Sequence, residues 1–85
     1  MLSDEFIAAV EKAFTIKGFD LKVEFRDLET WDEAIFHTQS LLSSRNVSYV
    51  SYHHTFTVEY LLENGNLISI SYKPTGAGDF DGQGY

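Results

Sequence analysis

Two periods alternate along this chain. From Phe6 to Phe14 the apolar residues return every three or four positions, as Phe6, Ile7, Val10, Ala13 and Phe14. That spacing gathers them on one stripe of a helix. Asp4, Ala8, Glu11 and Lys12 fall on the other side. Ser3 suits the N-cap, because its hydroxyl can accept a backbone N–H that the first turn leaves unbonded. Asp4 and Glu5 then meet the positive end of the helix dipole. Gly18 suits the left-handed residue that follows a last turn. Together these features predict a helix from Ser3 to about Lys17.

The period then changes to two. In "FDLKVEFRD", Phe19, Leu21, Val23 and Phe25 alternate with Asp20, Lys22, Glu24 and Arg26. Strict alternation predicts a strand buried on one face and solvated on the other. "TWDE" has the spacing of a capping box, with Thr30 as the cap and Glu33 reaching back. It predicts a second helix from Trp31 to about Ser44. Trp31, Ala34, Ile35, Thr38, Leu41 and Leu42 share its apolar stripe, and Phe36 lies among the polar residues opposite.

From Val47 the residues favour strand again. "LLENGNLISISYK" has the form of a hairpin, and its turn sets the register. A three-residue loop Glu63-Asn64-Gly65 puts Gly65 at a left-handed position. It also sets Leu62 opposite Asn66, Tyr60 opposite Ile68, Val58 opposite Ile70 and Phe56 opposite Tyr72. A two-residue loop would mix apolar and polar residues on both faces, so the longer loop is preferred. Residues 47–53 then have no partner in the hairpin and are expected to pair with the first strand or with another chain. After Pro74 the segment "TGAGDFDGQGY" has no period and reads as a flexible tail. The expected architecture is α+β in the order α-β-α-β-β, with two helices on one face of a small, about three-stranded sheet. Residues 1–74 form the expected single domain and 75–85 an acidic, glycine-rich tail.

Composition sharpens this picture in two ways. The chain has no cysteine, so neither a disulfide nor a thiolate zinc site can hold it together. Seven Phe and five Tyr supply a large-residue core instead. The formal charge is −7 in 85 residues, with nine acids and four bases in residues 1–33. Such a balance disfavours direct contact with nucleic acid or an anionic membrane. It favours a basic protein surface. "MLSDEF" puts acids where a secretory signal carries bases, and no apolar run follows. A cytoplasmic setting is therefore expected, in which the "NVS" sequon at Asn46 carries no sugar.

Candidate chemistry is sparse. His53 and His54 are adjacent, and adjacent strand residues point to opposite faces, so they cannot chelate one metal in a regular strand. A His37–His54 pair lacks supporting ligands, and no metal or cofactor is expected. "GAGDFDG" lacks the sixth-position glycine and the following helix of a phosphate loop. No nucleophile-base pair stands out, so catalysis is not expected. "RDLETWDE" concentrates Asp27, Glu29, Asp32 and Glu33 without the central glycine of a calcium loop. Those four acids, with Phe36 and the tail residues Asp79, Phe80, Asp81 and Tyr85, are the candidate partner contacts. The expected function is an acidic inhibitor that blocks a basic partner, such as a nuclease or another nucleic-acid-binding protein. Phage inhibitors and toxin-immunity proteins have this size and charge. The second reading is a non-catalytic homodimer or accessory subunit that associates through an edge strand at residues 47–52.

Overall fold

A computed structural model describes residues 2–44, 47–53 and 56–74, with the backbone alone described over 47–53. The first helix, α1 (Asp4–Thr15), starts where its cap dictates: Ser3 Oγ accepts the Phe6 N–H at 3.1 Å. Phe6, Val10 and Ala13 are buried, as their spacing requires. Gly18 follows the helix with φ +76°, the left-handed value.

The next strand, β1 (Leu21–Phe25), alternates half-buried and exposed residues. Helix α2 (Leu28–Ser43) begins one turn earlier than expected. Its N-cap is Asp27, not Thr30. The Asp27 carboxylate accepts both the Thr30 N–H, at 3.0 Å, and the Thr30 hydroxyl. Asp caps at least as well as Thr, and starting there adds the backbone bond from Trp31 N–H to Asp27 O at 3.0 Å. Thr30 therefore braces the cap from inside the helix.

The run from Val47 is divided. It forms β2 (Val47–His53) and β3 (Thr57–Leu62), and β4 (Leu67–Tyr72) completes a sheet of four strands. Phe56, just before β3, has φ +58°, a value that ends regular strand geometry. β2 folds back antiparallel on β3, with Val50 opposite Tyr60 and Tyr52 opposite Val58. The expected pairing of residues 47–53 with the first strand or another chain is thus corrected. Closing a short local loop costs less chain entropy than reaching a distant strand.

The sheet order is β1-β4-β3-β2, with β1 parallel to β4 and the other pairs antiparallel. The β3–β4 hairpin has the expected register: Tyr60 opposite Ile68 and Val58 opposite Ile70. Its loop closes through Leu62 N–H to Asn66 O at 2.9 Å and Gly65 N–H to Leu62 O at 3.0 Å. Gly65 has φ +92°, and a Cβ there would meet no atom within 4 Å. Backbone conformation, not space, selects the glycine.

Both helices cover one face of the sheet, and the class is α+β. Phe6, Val10, Ala13 and Ala34 pack against Val58, Tyr60, Leu62, Ile68 and Ile70. Each large apolar side chain so buried contributes about 1.5–3 kcal/mol. Ser69 is also buried, although it lies on the polar face, where Lys22 and Glu59 flank it on the neighbouring strands. The end of α1 is held by the hairpin. Buried Asn66 donates through Nδ2 to Ala13 O at 2.7 Å and Ile16 O at 2.6 Å, and its Oδ1 accepts Phe19 N–H at 3.0 Å. Asn64 adds a second donor to Ala13 O at 3.0 Å.

Candidate functional site on the outer face of α2

Helix geometry decides which of the candidate residues meet. Positions 29, 33, 36 and 40 are separated by four, three and four residues, so they form one stripe, with position 32 beside it. Glu29, Asp32, Glu33, Phe36 and Ser40 are all exposed. The buried residues of α2, Ala34 and Thr38, turn to the core instead. The outer face of α2 therefore carries three carboxyl groups and one large aromatic ring.

Phe36 is 73% exposed, the highest fraction among the large apolar residues that lie at the surface. Phe56 is 55% exposed, but its ring packs edge-on against Tyr72 at 5.6 Å and Trp31 at 6.3 Å. No aromatic ring among the described residues packs on Phe36. Beside it runs an open groove of about 480 Å³, lined by Leu2, Asp32, Glu33, Phe36, His37 and Ser40. Apolar contact and negative charge thus stand side by side.

Three lining residues, Leu2, His37 and Ser40, are not among the expected partner contacts. Leu2 arrives from the segment before α1. His37 leans toward the core, with its ring 6.5 Å from that of Phe6. Its Nε2 is buried and has no hydrogen-bond partner among the described residues. The only trace in the sequence is its place next to Phe36, off the apolar stripe.

Asp27 and Glu29 divide in role. Glu29 belongs to the exposed stripe. Asp27 caps the helix, and the hydroxyl of Thr30, followed by the Thr30 N–H, holds its carboxyl below the usual aspartate pKa. The structure brings Asp32, Glu33 and Phe36 together at the groove. Asp79, Phe80, Asp81 and Tyr85 lie outside the described residues, as does His54. Among the described residues no three His, Asp or Glu side chains gather to hold a metal ion. No described helix is long and apolar enough to cross a membrane. No family model, no curated protein and no solved structure matches this chain.

Proposed function

We propose that this chain is a cytoplasmic binding module that captures and blocks a basic partner protein through the outer face of α2. A nuclease or another nucleic-acid-binding protein has the required chemistry, since its phosphate groove presents Lys and Arg. The reading includes inhibitors of the phage and toxin-immunity kind. One observation carries it: Asp32 and Glu33 line a groove together with an exposed Phe36, and Glu29 extends their acidic stripe one turn toward the start of α2. Carboxylates steer a basic surface into encounter, and an exposed ring anchors it afterwards.

The cap position decides which variants test this. Glu29, Asp32 and Glu33 stand inside α2, past its cap, so Glu29→Gln, Asp32→Asn and Glu33→Gln can be combined while Asp27 keeps the helix start. Partners captured from source-cell lysate at low and high salt, then measured singly, should associate more slowly with the triple variant. Raised salt should act in the same direction. A captured partner whose affinity ignores both salt and the triple variant would reduce the acidity to solubility. The reading of association through residues 47–52 would then lead, because β2 occupies one edge of the sheet.

A further inference from the structure

The opposite edge of the sheet has a property that the acidic face does not explain. Among the described residues β1 pairs with β4 alone. The Phe25 carbonyl accepts Lys73 N–H at 2.8 Å, so it points toward the β4 side. In a parallel ladder alternate residues turn both backbone groups to the same neighbour. Leu21, Val23 and Phe25 therefore bond inward, while Lys22 and Glu24 turn their N–H and C=O groups outward.

We propose that this edge pairs antiparallel with the same edge of a second copy of the chain, about a twofold axis at Val23. The sequence is self-complementary in that register. Asp20 stands opposite Arg26 of the other copy, Lys22 opposite Glu24, Glu24 opposite Lys22, and Arg26 opposite Asp20. Leu21 and Phe25 meet across the apolar face. The ladder agrees, because Lys22 and Glu24 are the residues with outward backbone groups and would exchange both bonds. Shifting the axis to Lys22 sets Asp20 against Glu24. Shifting it to Glu24 sets Lys22 against Arg26. Half-residue shifts pair outward groups with inward ones. Val23 is the centre that joins backbone pairing to charge pairing at Lys22 and Glu24, with Asp20, whose Oδ1 accepts Leu67 N–H at 2.9 Å, and Arg26 just outside β1.

Two further observations fit a second copy. Leu21, Val23 and Phe25 are only half-buried. With Phe6 and Ala9 of α1, and Ser3 and Glu5 at its start, they line a groove of about 250 Å³ along this same edge, whose apolar part the side chains of a second β1 would cover. Charged residues on an edge strand ordinarily discourage pairing. Here they stand on the solvent face in an order that cancels pairwise. The repulsion between two chains of charge −7 is screened beyond roughly 10 Å at 0.1 M salt. The interface is isologous and closes at two copies.

Charge reversal tests the proposal at two exposed positions, Lys22 and Glu24; Glu24 lies 3.5 Å from Arg26 of its own chain, an exposed pair whose loss costs the fold little. Sedimentation velocity of the full chain should show a concentration-dependent dimer. Lys22→Glu alone, or Glu24→Lys alone, places like charges opposite each other twice and should raise the dimer dissociation constant roughly tenfold or more. Mixing the two variants should restore dimerisation as a heterodimer, since each then supplies what the other lacks. Unchanged circular dichroism of each variant keeps misfolding apart from lost association. A wild-type chain that stays monomeric to millimolar concentration overturns the proposal. So does a dimer that ignores both reversals, or a mixture that gains nothing over its components.

Discussion

The two helices obey the same rules at their starts and differ everywhere else. α1 is capped by Ser3 and α2 by Asp27, each accepting an N–H three residues on. At its other end α1 is tied down by Asn64 and Asn66 from the distant hairpin. α2 closes itself, with Ser43 Oγ donating to Ser40 O at 2.7 Å and Ser44 Oγ donating to Leu41 O at 3.0 Å, both exposed. α1 carries both signs of charge on its outer side, Lys12 included. α2 contains no Lys or Arg and carries its three acids in the turns before Phe36. One helix is committed to the body of the domain. The other presents an exposed acidic face with a large ring, and such faces are where binding is to be sought.

The strongest way to break this contrast is to cut the tie on α1. Asn66→Leu leaves the part-buried Ile16 carbonyl and Phe19 N–H without their partner and the Ala13 carbonyl with Asn64 alone. Each such loss costs about 1–3 kcal/mol, not strictly additively, so a total near 3 kcal/mol is expected in urea denaturation. The melting temperature should fall by more than roughly 10 °C for a domain of this size. Ser43→Ala at the end of α2 should cost no more than about 0.5 kcal/mol, as an exposed substitution. Equal costs would mean that the two helix ends are not held differently.

The caps give a second, smaller test. Ser3→Ala should cost about 1 kcal/mol at any pH, since a hydroxyl does not titrate here. Asp27 differs in its pH dependence. Its folded pKa is lowered, first by the Thr30 hydroxyl, so its ionised form is favoured by folding. That stabilisation is fully present above the unfolded value of about 3.9 and is lost as pH falls through the lower folded value. Thermal melts of the wild type and Asp27→Asn should therefore converge as pH drops below about 4. Curves that stay parallel down to low pH would show that the carboxylate charge adds nothing to the cap.

How much was legible follows from how local each interaction is. The hairpin register could be read because Gly65 and the alternation of Val58, Tyr60, Ile68 and Ile70 act within one short stretch. The stripe of α2 and the place of Phe36 outside it could be read for the same reason. The start of α2 was misplaced by one turn because two overlapping capping patterns, Asp27 with Thr30 and Thr30 with Glu33, compete and only geometry selects between them. The division into β2 and β3 was hidden, since nothing in "HHTF" announces a positive φ at Phe56. Asn66 was visible as a turn residue, but its service to α1, some fifty residues earlier in the chain, exists only in three dimensions. At the candidate site the acids and Phe36 were legible, while Leu2 and His37 join them only through packing.

The smallest expected effect on stability is the most informative about the outer face of α2. Phe36→Ala removes a side chain that is 73% exposed and forfeits little burial. Alanine also has the better helix propensity. Stability should stay within about 0.5 kcal/mol of the wild type. Binding to a captured basic partner should respond otherwise. Dissociation should quicken markedly with little change in association, because an apolar anchor acts after encounter while charge acts before it. The triple neutralisation of Glu29, Asp32 and Glu33 should show the reverse pattern. If Phe36→Ala instead unfolds the chain, the ring supports the fold and the contrast between the helices fails. If it leaves both stability and dissociation untouched, Phe36 is an ordinary surface residue and the binding reading rests on charge alone.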